Sequence, residues 1–233
     1  MIESVNNEKI KEYAKLNDKK YRDKTGLFII EGEHLVLEAQ NADVLVEAFS
    51  LDGSIGTKVS LPVMKKLSNL TNVPNVIGIA KKNDNKEICG NILMLDSIQD
   101  PGNLGTIIRS AVAFGIDTIV ASPNTVDLYN TKVVRSTEGL LFKINYIVTD
   151  LSVFLDEYKD KYTIYTTNVR NGEDVSKIKA KNPYILIMGN EGRGVDSKFT
   201  EYANSTIYIP ISNCESLNVA IATSIILYEF NKK

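Results

Sequence analysis

The second half of this chain alternates short, almost wholly apolar runs with longer helical ones, and this pattern constrains the fold more than any other feature. Strand-like runs cover residues 92–95, 118–121, 144–148, 163–167, 184–188 and 206–209. Helical stretches cover residues 103–114, 130–138, 151–158, 196–202 and 217–230. Strands without polar alternation, separated by helices, are typical of a parallel sheet that is covered on both faces. Ligands bind beyond the carboxyl ends of such strands, so we look for a site in the loops there.

The first half mixes short helices and strands less regularly. Its predicted strands are 27–30, 44–49 and 76–80, and its predicted helices are 8–16, 34–42 and 63–70. Residues 81–87 are polar and lack periodicity, which is typical of a linker. A chain of 233 residues has room for two domains. We therefore expect an α/β protein, with a small α/β/α domain over 1–85 and a mostly parallel sheet flanked by helices over 86–233.

Charge and cysteine content exclude several classes of function. The 27 Lys and Arg residues are balanced by 29 Asp and Glu residues, so a nucleic acid must be met by a local basic patch. Cys89 and Cys214 lack metal-ligand spacing and His34 is the one histidine, so we expect no metal. The N-terminus has no signal-peptide pattern and no apolar run reaches roughly 18 residues, so we expect a soluble, cytoplasmic protein.

A glycine-rich loop follows the first strand of the second half. Residues 100–105 read Asp-Pro-Gly-Asn-Leu-Gly, and the helix that they open carries Arg109. Gly102 and Gly105 allow close backbone approach, and a helix N-terminus beside a guanidinium suits an anion such as phosphate. The alternative is a capped α/β loop with a solvated arginine. No strand is followed by G-x-G-x-x-G, and no G-x-x-x-x-G-K-[ST] occurs, so neither kind of nucleotide loop is predicted.

A second loop, residues 189–194, reads Gly-Asn-Glu-Gly-Arg-Gly after a buried strand. Three glycines in six residues suggest a ligand that lies against bare backbone. The alternative is a glycine-rich turn that leaves Glu191 and Arg193 in water.

A third loop runs from Pro210 into a strongly apolar helix. Ser216 is a plausible N-cap of that helix, which would make its role purely structural. Asn218 lies in the first turn of an otherwise apolar segment, where a buried amide needs hydrogen-bond partners. Asn218 is therefore the stronger candidate for a functional role.

Together and in this order, the three loops resemble the motifs of the SpoU/TrmH class of SPOUT RNA methyltransferases. The resemblance covers residues from about 90 to 230. The first half is similar to the RNA-substrate-binding domain that is often fused to this class. The residues that carry this second likeness are Ile2, Ser4, Asn7, Ile10-Lys11, Lys20-Tyr21-Arg22 and Phe28-Ile29-Ile30-Glu31-Gly32.

The resemblance implies methyl transfer from S-adenosylmethionine to a ribose 2′-hydroxyl of RNA. It also implies a deep trefoil knot near the C-terminus and a homodimer whose subunits share the RNA site. The implied catalytic residues are Asn103, Arg109, Glu191, Ser216 and Asn218. The residues that would line the donor pocket are Met188, Gly189, Asn190, Gly192, Ile209, Ser216 and Leu217. Arg109 would steer a phosphate and stabilise a developing alkoxide, because a guanidinium stays protonated.

The third motif departs from the family pattern. Between Pro210 and Ser216 the family commonly has a longer loop that contains glycine, whereas residues 211–215 here read Ile-Ser-Asn-Cys-Glu. Asparagine tolerates left-handed backbone angles, so Asn213 is expected to replace the glycine.

RNA contact is expected at a basic stretch over residues 9–24. This stretch contains seven Lys and Arg residues, only three acidic residues, and two interleaved tyrosines. The alternative is a solvated helix face. The residues expected to bind RNA are Lys19, Lys20, Arg22, Arg109 and Arg135.

Three functions are compatible with the sequence. The first is 2′-O-methylation of RNA, with ribosomal RNA favoured over tRNA by the two-domain layout. The second is an RNA-binding protein of the same fold that has lost catalysis, which the shortened third loop favours. The third is a nucleotide-dependent α/β enzyme such as a dehydrogenase, which the missing G-x-G-x-x-G turn disfavours.

Overall fold

The computed structural model describes residues 1–84 and 86–232. The strands are β1 (Leu27–Glu31), β2 (Leu45–Ser50), β3 (Thr57–Lys58), β4 (Val76–Lys81), β5 (Ile92–Leu95), β6 (Thr118–Ala121), β7 (Asn145–Val148), β8 (Thr163–Thr167), β9 (Glu173–Asp174), β10 (Tyr184–Met188) and β11 (Ser205–Tyr208). The α-helices are α1 (Glu8–Ala14), α2 (Lys19–Thr25), α3 (Glu33–Asn41), α4 (Leu61–Leu67), α5 (Pro101–Ala113), α6 (Thr131–Ser136), α7 (Leu151–Tyr158), α8 (Ser197–Thr200) and α9 (Val219–Asn231). Short 3-10 helices lie at Lys15–Asn17, Leu140–Lys143 and Val175–Lys177.

The chain forms two compact units that do not follow a single linear division. The first unit contains Met1–Asp84 together with Asp127–Phe142, and the second contains Asn85–Val126 together with Lys143–Lys233. Residue 85, where we placed the boundary, lies outside the described residues. We expected the second domain to cover 86–233, whereas residues 127–142 group with the first unit.

A four-stranded mixed sheet forms the centre of the first unit, in the order β1-β4-β2-β3. Strand β4 runs antiparallel to both β1 and β2, whereas β2 and β3 are parallel. Apolar side chains from the sheet and from α1 and α4, among them Ile10, Phe49 and Met64, form its core. Helix α2 was not predicted, because its residues are nearly all polar. It forms because Asp18 caps its N-terminus and Gly26 ends it with φ 68°.

Helix α6 lies in a different unit from the one that the sequence pattern predicted. The stretch 130–138 was predicted to be one of the helices of the parallel sheet, but α6 belongs to the first unit and contacts β1. Apolar residues explain this placement, because Val133 and Val134 are fully buried. Tyr129 packs against Phe28 of β1 at 4.6 Å between ring centroids.

The second unit confirms the predicted parallel sheet. Its seven strands lie in the order β7-β6-β5-β10-β8-β11-β9, and every strand pairing in the described part of the unit is parallel. Every residue of β5, β6 and β10 is buried, as expected for central strands that are covered on both faces. Because β5 and β10 are neighbours, the loops that follow them leave the sheet side by side.

Residues 1–84 and 86–232 contain no helix with the length and apolar character needed to cross a bilayer. Over the same residues, no cluster of three or more His, Cys, Asp or Glu side chains is arranged to hold a metal ion.

Candidate active site

A cavity of about 310 Å³ opens at the carboxyl ends of β10, β8 and β11 in the second unit. All seven residues expected to line a donor pocket lie in its wall, from Met188 and Gly189 to Leu217. Thr167, the last residue of β8, and the two residues after it also line the cavity and were missed by the sequence analysis. They carry no glycine-rich or charged motif, and only the position of β8 between β10 and β11 indicates them.

The glycines of the second loop let its backbone fold back on itself. Asn190 and Gly194 exchange two backbone hydrogen bonds, of 3.0 and 2.9 Å, and Gly194 has φ 72°. A Cβ on Gly189 would lie 2.1 Å from the backbone of Gly194 and Val195, so a side chain at Gly189 would force the loop open. The glycine at position 189 is therefore required by the fold of the loop itself.

Asn190 holds this loop from within. Its Oδ1 accepts hydrogen bonds from the backbone N–H groups of Gly192 and Arg193 at 2.9 and 3.2 Å. Its Nδ2 donates to the carbonyl oxygen of Ser97, beyond β5, at 2.8 Å. The side chain of Asn190 is thus engaged in shaping the loop, whereas its backbone lines the cavity.

One side chain from each of the three motifs meets in a hydrogen-bonded line, which we call the polar line. The Nδ2 of Asn103 donates to Oε1 of Glu191 at 3.0 Å. The Nδ2 of Asn218 donates to Oδ1 of Asn103 at 2.9 Å. Residues 103, 191 and 218 lie far apart in sequence, so their meeting is a property of the fold.

Asn218, and not Ser216, caps α9. Its Oδ1 accepts from the backbone N–H groups of Ala220 and Ile221 at 2.9 and 3.3 Å, while its amide donates into the polar line. The alternative role that we gave to Ser216 is therefore wrong. Ser216 instead lies in the cavity wall.

Glu191 is held as a carboxylate. Burial raises the pKa of its carboxyl, but hydrogen bonds from the Asn103 amide and from the backbone N–H groups of Asp100 and Gln99 outweigh burial. The pKa of Glu191 consequently lies below its ordinary value. At neutral pH Glu191 accepts hydrogen bonds and orients the Asn103 amide.

Arg109 is not part of the polar line. It is exposed on α5, and no carboxylate or carbonyl in residues 1–84 or 86–232 pairs with it. Arg109 lies six positions after Asn103, which is roughly 9 Å along a helix axis. Its guanidinium is therefore free to meet a ligand.

Asn213 has φ 65° in the short third loop. This confirms that asparagine takes the left-handed conformation for which the family commonly uses glycine.

Two of the arginines expected to bind RNA, Arg22 and Arg135, lie in the first unit and make internal contacts. Arg22 is 4% exposed and donates to Asp127 at 2.6 Å and to the carbonyls of Leu16 and Asn17. Arg135 forms an ion pair with the buried carboxylate of Glu31. The expectation that Arg22 presents its charge on a surface is wrong, because its donors are used within the fold.

The lysines of the basic stretch lie at the surface. Lys19 is exposed and pairs with Asp23 on the next turn of α2. Lys20 is exposed, and the described part of the chain offers it no acidic partner. Lys19 and Lys20 thus remain available for a polyanion.

Comparison with known proteins identifies the family of this chain. The model of the SpoU rRNA methylase family matches residues 90–228, which include all three motifs. The chain belongs to this family. An MRM3-like substrate-binding domain matches residues 7–59.

Relatives match over nearly the whole length of the chain. A 23S rRNA (guanosine(2553)-2'-O)-methyltransferase, RlmP, of Bacillus subtilis strain 168 is 36% identical, with 97% of each chain covered. An rRNA methyltransferase from Sinorhizobium meliloti has a TM-score of 0.88 at 29% identity, covering 98% of this chain and 96% of that one. Its AdoMet-bound form has a TM-score of 0.86 at 28% identity, covering 98% of this chain and 96% of that one.

The protein is thus a SpoU-family RNA 2′-O-methyltransferase that uses S-adenosylmethionine. The cavity fits such a donor. Its volume of about 310 Å³ lies in the range that encloses small-molecule ligands. Its wall combines apolar side chains such as Ile209 and Leu217 with the bare backbone of the glycine loop, which suits a flat apolar base joined to polar groups.

Proposed function

We propose that this enzyme transfers a methyl group from S-adenosylmethionine to a ribose 2′-hydroxyl of ribosomal RNA. The observation that carries the proposal is the polar line, which joins one residue of each family motif and reaches the wall of a donor-sized cavity at Glu191. The 36% identity to a 23S rRNA enzyme over 97% of both chains supports ribosomal RNA as the substrate.

Each polar residue has a role that follows from its contacts. S-adenosylmethionine, when bound, supplies an electrophilic methyl group on its sulfonium. Glu191 holds the Asn103 amide, and Asn218 joins Asn103 to the start of α9, so the polar line is preorganised. Ser216 in the cavity wall offers a hydroxyl to the donor or to the ribose.

Arg109 supplies the cationic group of the reaction. An unpaired guanidinium on an exposed helix face suits an RNA phosphate and a developing alkoxide at the 2′-oxygen. Holding the hydroxyl in line with the methyl group would supply much of the remaining acceleration.

The functional assembly that we propose is a homodimer whose subunits share the RNA site. Arg109 lies away from the polar line of its own chain, and α9 exposes Ile221 and Tyr228 by 52% and 53%. These two residues are seven apart and so lie on one face of the helix. Mixing Arg109→Ala enzyme with Glu191→Gln enzyme should restore activity if each site uses both subunits, and no restoration would contradict sharing.

Family membership also supports a deep trefoil knot formed by the second and third loops and α9, and a cytoplasmic location. The first unit would hold the RNA, with Lys19 and Lys20 on its surface.

Mapping 2′-O-methylation in a deletion strain tests the proposed function. One 23S rRNA methylation should disappear, and the wild-type gene but not the Arg109→Ala gene should restore it. The position equivalent to guanosine 2553, the target in the relative's name, is the first to examine.

Calorimetric titration with S-adenosylmethionine should show micromolar binding, about −8 kcal/mol.

Loss of a tRNA methylation in the deletion strain, in place of an rRNA methylation, would identify tRNA as the substrate. Unchanged RNA together with absent donor binding would indicate an RNA-binding protein without catalysis.

A further inference from the structure

Asp96, at the carboxyl end of β5, contacts the glycine loop of the donor cavity at both of its ends. Its backbone N–H donates to the carbonyl of Met188, the residue before the loop, at 2.9 Å. Its Oδ2 accepts from the backbone N–H of Asp196, the residue after the loop, at 3.1 Å. One residue thus bridges the two ends of the loop over residues 189–195.

The carboxyl group of Asp96 is buried and has no cationic partner. Its residue is 8% exposed, and no Lys, Arg or His in residues 1–84 or 86–232 pairs with it. Its second oxygen, Oδ1, accepts from the hydroxyl of Ser97 at 2.9 Å. A buried carboxyl without an ion pair is costly, and here the hydrogen bonds from the Asp196 N–H and the Ser97 hydroxyl offset that cost.

Ser97 extends the same contact. It has φ 60°, an uncommon conformation for serine, and its carbonyl accepts the Asn190 Nδ2 at 2.8 Å. The hydroxyl of Ser97 donates to Asp96, and the backbone carbonyl of the same residue accepts from Asn190, so Ser97 connects the two. The residues Asp96 and Ser97 therefore hold the glycine loop at one internal point, Asn190, and at the two residues that flank it, Met188 and Asp196.

We propose that Asp96 is a positioning residue for the methyl donor, which sets the glycine loop in the conformation that lines the cavity. Asp96 itself is not in the cavity wall, whereas Met188 and residues 189–195 are. The inference rests on the proposed donor site. It assigns the loop geometry to a side chain outside the three motifs.

Substitution of Asp96 distinguishes positioning from simple stability. Asp96→Ala leaves the Asp196 N–H without an acceptor, so we expect donor Kd and KM to rise by about tenfold, or about 1.4 kcal/mol, with kcat at saturating donor changed far less. Asp96→Asn should restore near wild-type values, because its amide oxygen accepts from Asp196 while its NH2 donates to the Ser97 hydroxyl oxygen.

Asp150→Ala is the matched control. Asp150 accepts two backbone N–H groups, from Ser152 and Val153, at the start of α7. Asp150→Ala should lower Tm and leave the donor Kd unchanged. If Asp96→Ala lowers Tm with an unchanged donor Kd, as this control should, the positioning role is overturned.

A second pair of variants leaves the Asp96 side chain in place, in case Asp96→Ala does not fold. Asp196 has φ −60°, which proline can adopt, and its side chain caps α8. Asp196→Ala removes the cap only, whereas Asp196→Pro removes the cap and the N–H that Asp96 accepts. A weaker donor Kd for Asp196→Pro than for Asp196→Ala supports the role, and equal Kd values overturn it.

Titration of each protein with S-adenosylmethionine separates this inference from the proposed function. No binding by the wild-type protein would overturn the donor site and the role of Asp96 with it. Wild-type binding with an unaffected Asp96→Ala variant would overturn the role of Asp96 alone.

Discussion

Arg22 in the first unit and Arg109 in the second carry the same guanidinium group in opposite settings. Arg22 is buried, and its donors are used by Asp127 and by the carbonyls of Leu16 and Asn17. Arg109 is exposed, with no acidic partner in residues 1–84 or 86–232. A cation whose donors are satisfied within the fold contributes to stability, whereas an unsatisfied one is available to a ligand.

Substituting the unsatisfied arginine should give the largest effect on activity. Arg109→Ala should lower the rate of methyl transfer by about 10²–10³-fold, because a charge that stabilises the transition state is lost. Tm should change little, since Arg109 has no acidic partner among the residues that the structure describes. A methyl-transfer assay and donor titration check this, and an equal loss of donor binding would contradict an RNA-facing role.

Substituting the buried arginine should lower stability and leave donor affinity nearly unchanged. Arg22→Ala should lower the free energy of unfolding by about 3 kcal/mol, because it leaves Asp127 and two carbonyls without their donors. Donor affinity at 25 °C should stay near wild type in the folded fraction. Replacing both partners, Arg22→Met with Asp127→Leu, should recover part of the loss in chemical denaturation. No recovery would mean that the ion pair is not the source of the loss.

The surface lysines test whether the basic stretch meets RNA at all. Replacing Lys19 and Lys20 with glutamine should weaken RNA binding and reduce the slope of log K against log salt by roughly 0.7 per lost phosphate contact. Lys65→Gln with Lys66→Gln makes the same charge change on α4 of the same unit and serves as the control. Equal slopes for both pairs would show that the α2 lysines form only a solvated face.

Substituting Glu191 should give the smallest effect on stability, and one that depends on pH. Its folded pKa lies below the ordinary value of 4.5, so its contribution to stability is fully present above about pH 4.5 and is lost as pH falls through the folded pKa. The stability difference between wild type and Glu191→Gln should therefore be constant from pH 6 to 8 and narrow under acid. A difference that grows in acid would mean that the folded pKa is raised.

The sequence pattern was sufficient where the chemistry is local. The apolar strands, the parallel sheet and the left-handed Asn213 follow from periodicity or from residue type. Asn103, Glu191 and Asn218 were chosen because they match ordered motifs, and the structure brings them into one hydrogen-bonded line.

The sequence pattern did not predict contacts between residues that are distant in sequence. Arg22 was expected at a surface because it lies in a run of charges, but its partner Asp127 is 105 residues away. Residues 167–169 and Asp96 were missed for the same reason. Residues 167–169 and Asp96 contribute to the site because of the strands beside them in the sheet. The local amino-acid composition at these positions does not indicate that role.

The placement of Asp127–Phe142 in the first unit has a consequence for the order of events during synthesis. Leu128, Val133, Val134 and Leu141 contribute buried apolar surface from this late segment. The first 84 residues leave the ribosome without that surface. At 5–20 residues per second, translation of the next 58 residues takes roughly 3–12 s. The first unit can therefore complete its fold only after β5 and β6 of the second unit have been synthesised. Folding of the two units consequently overlaps in time.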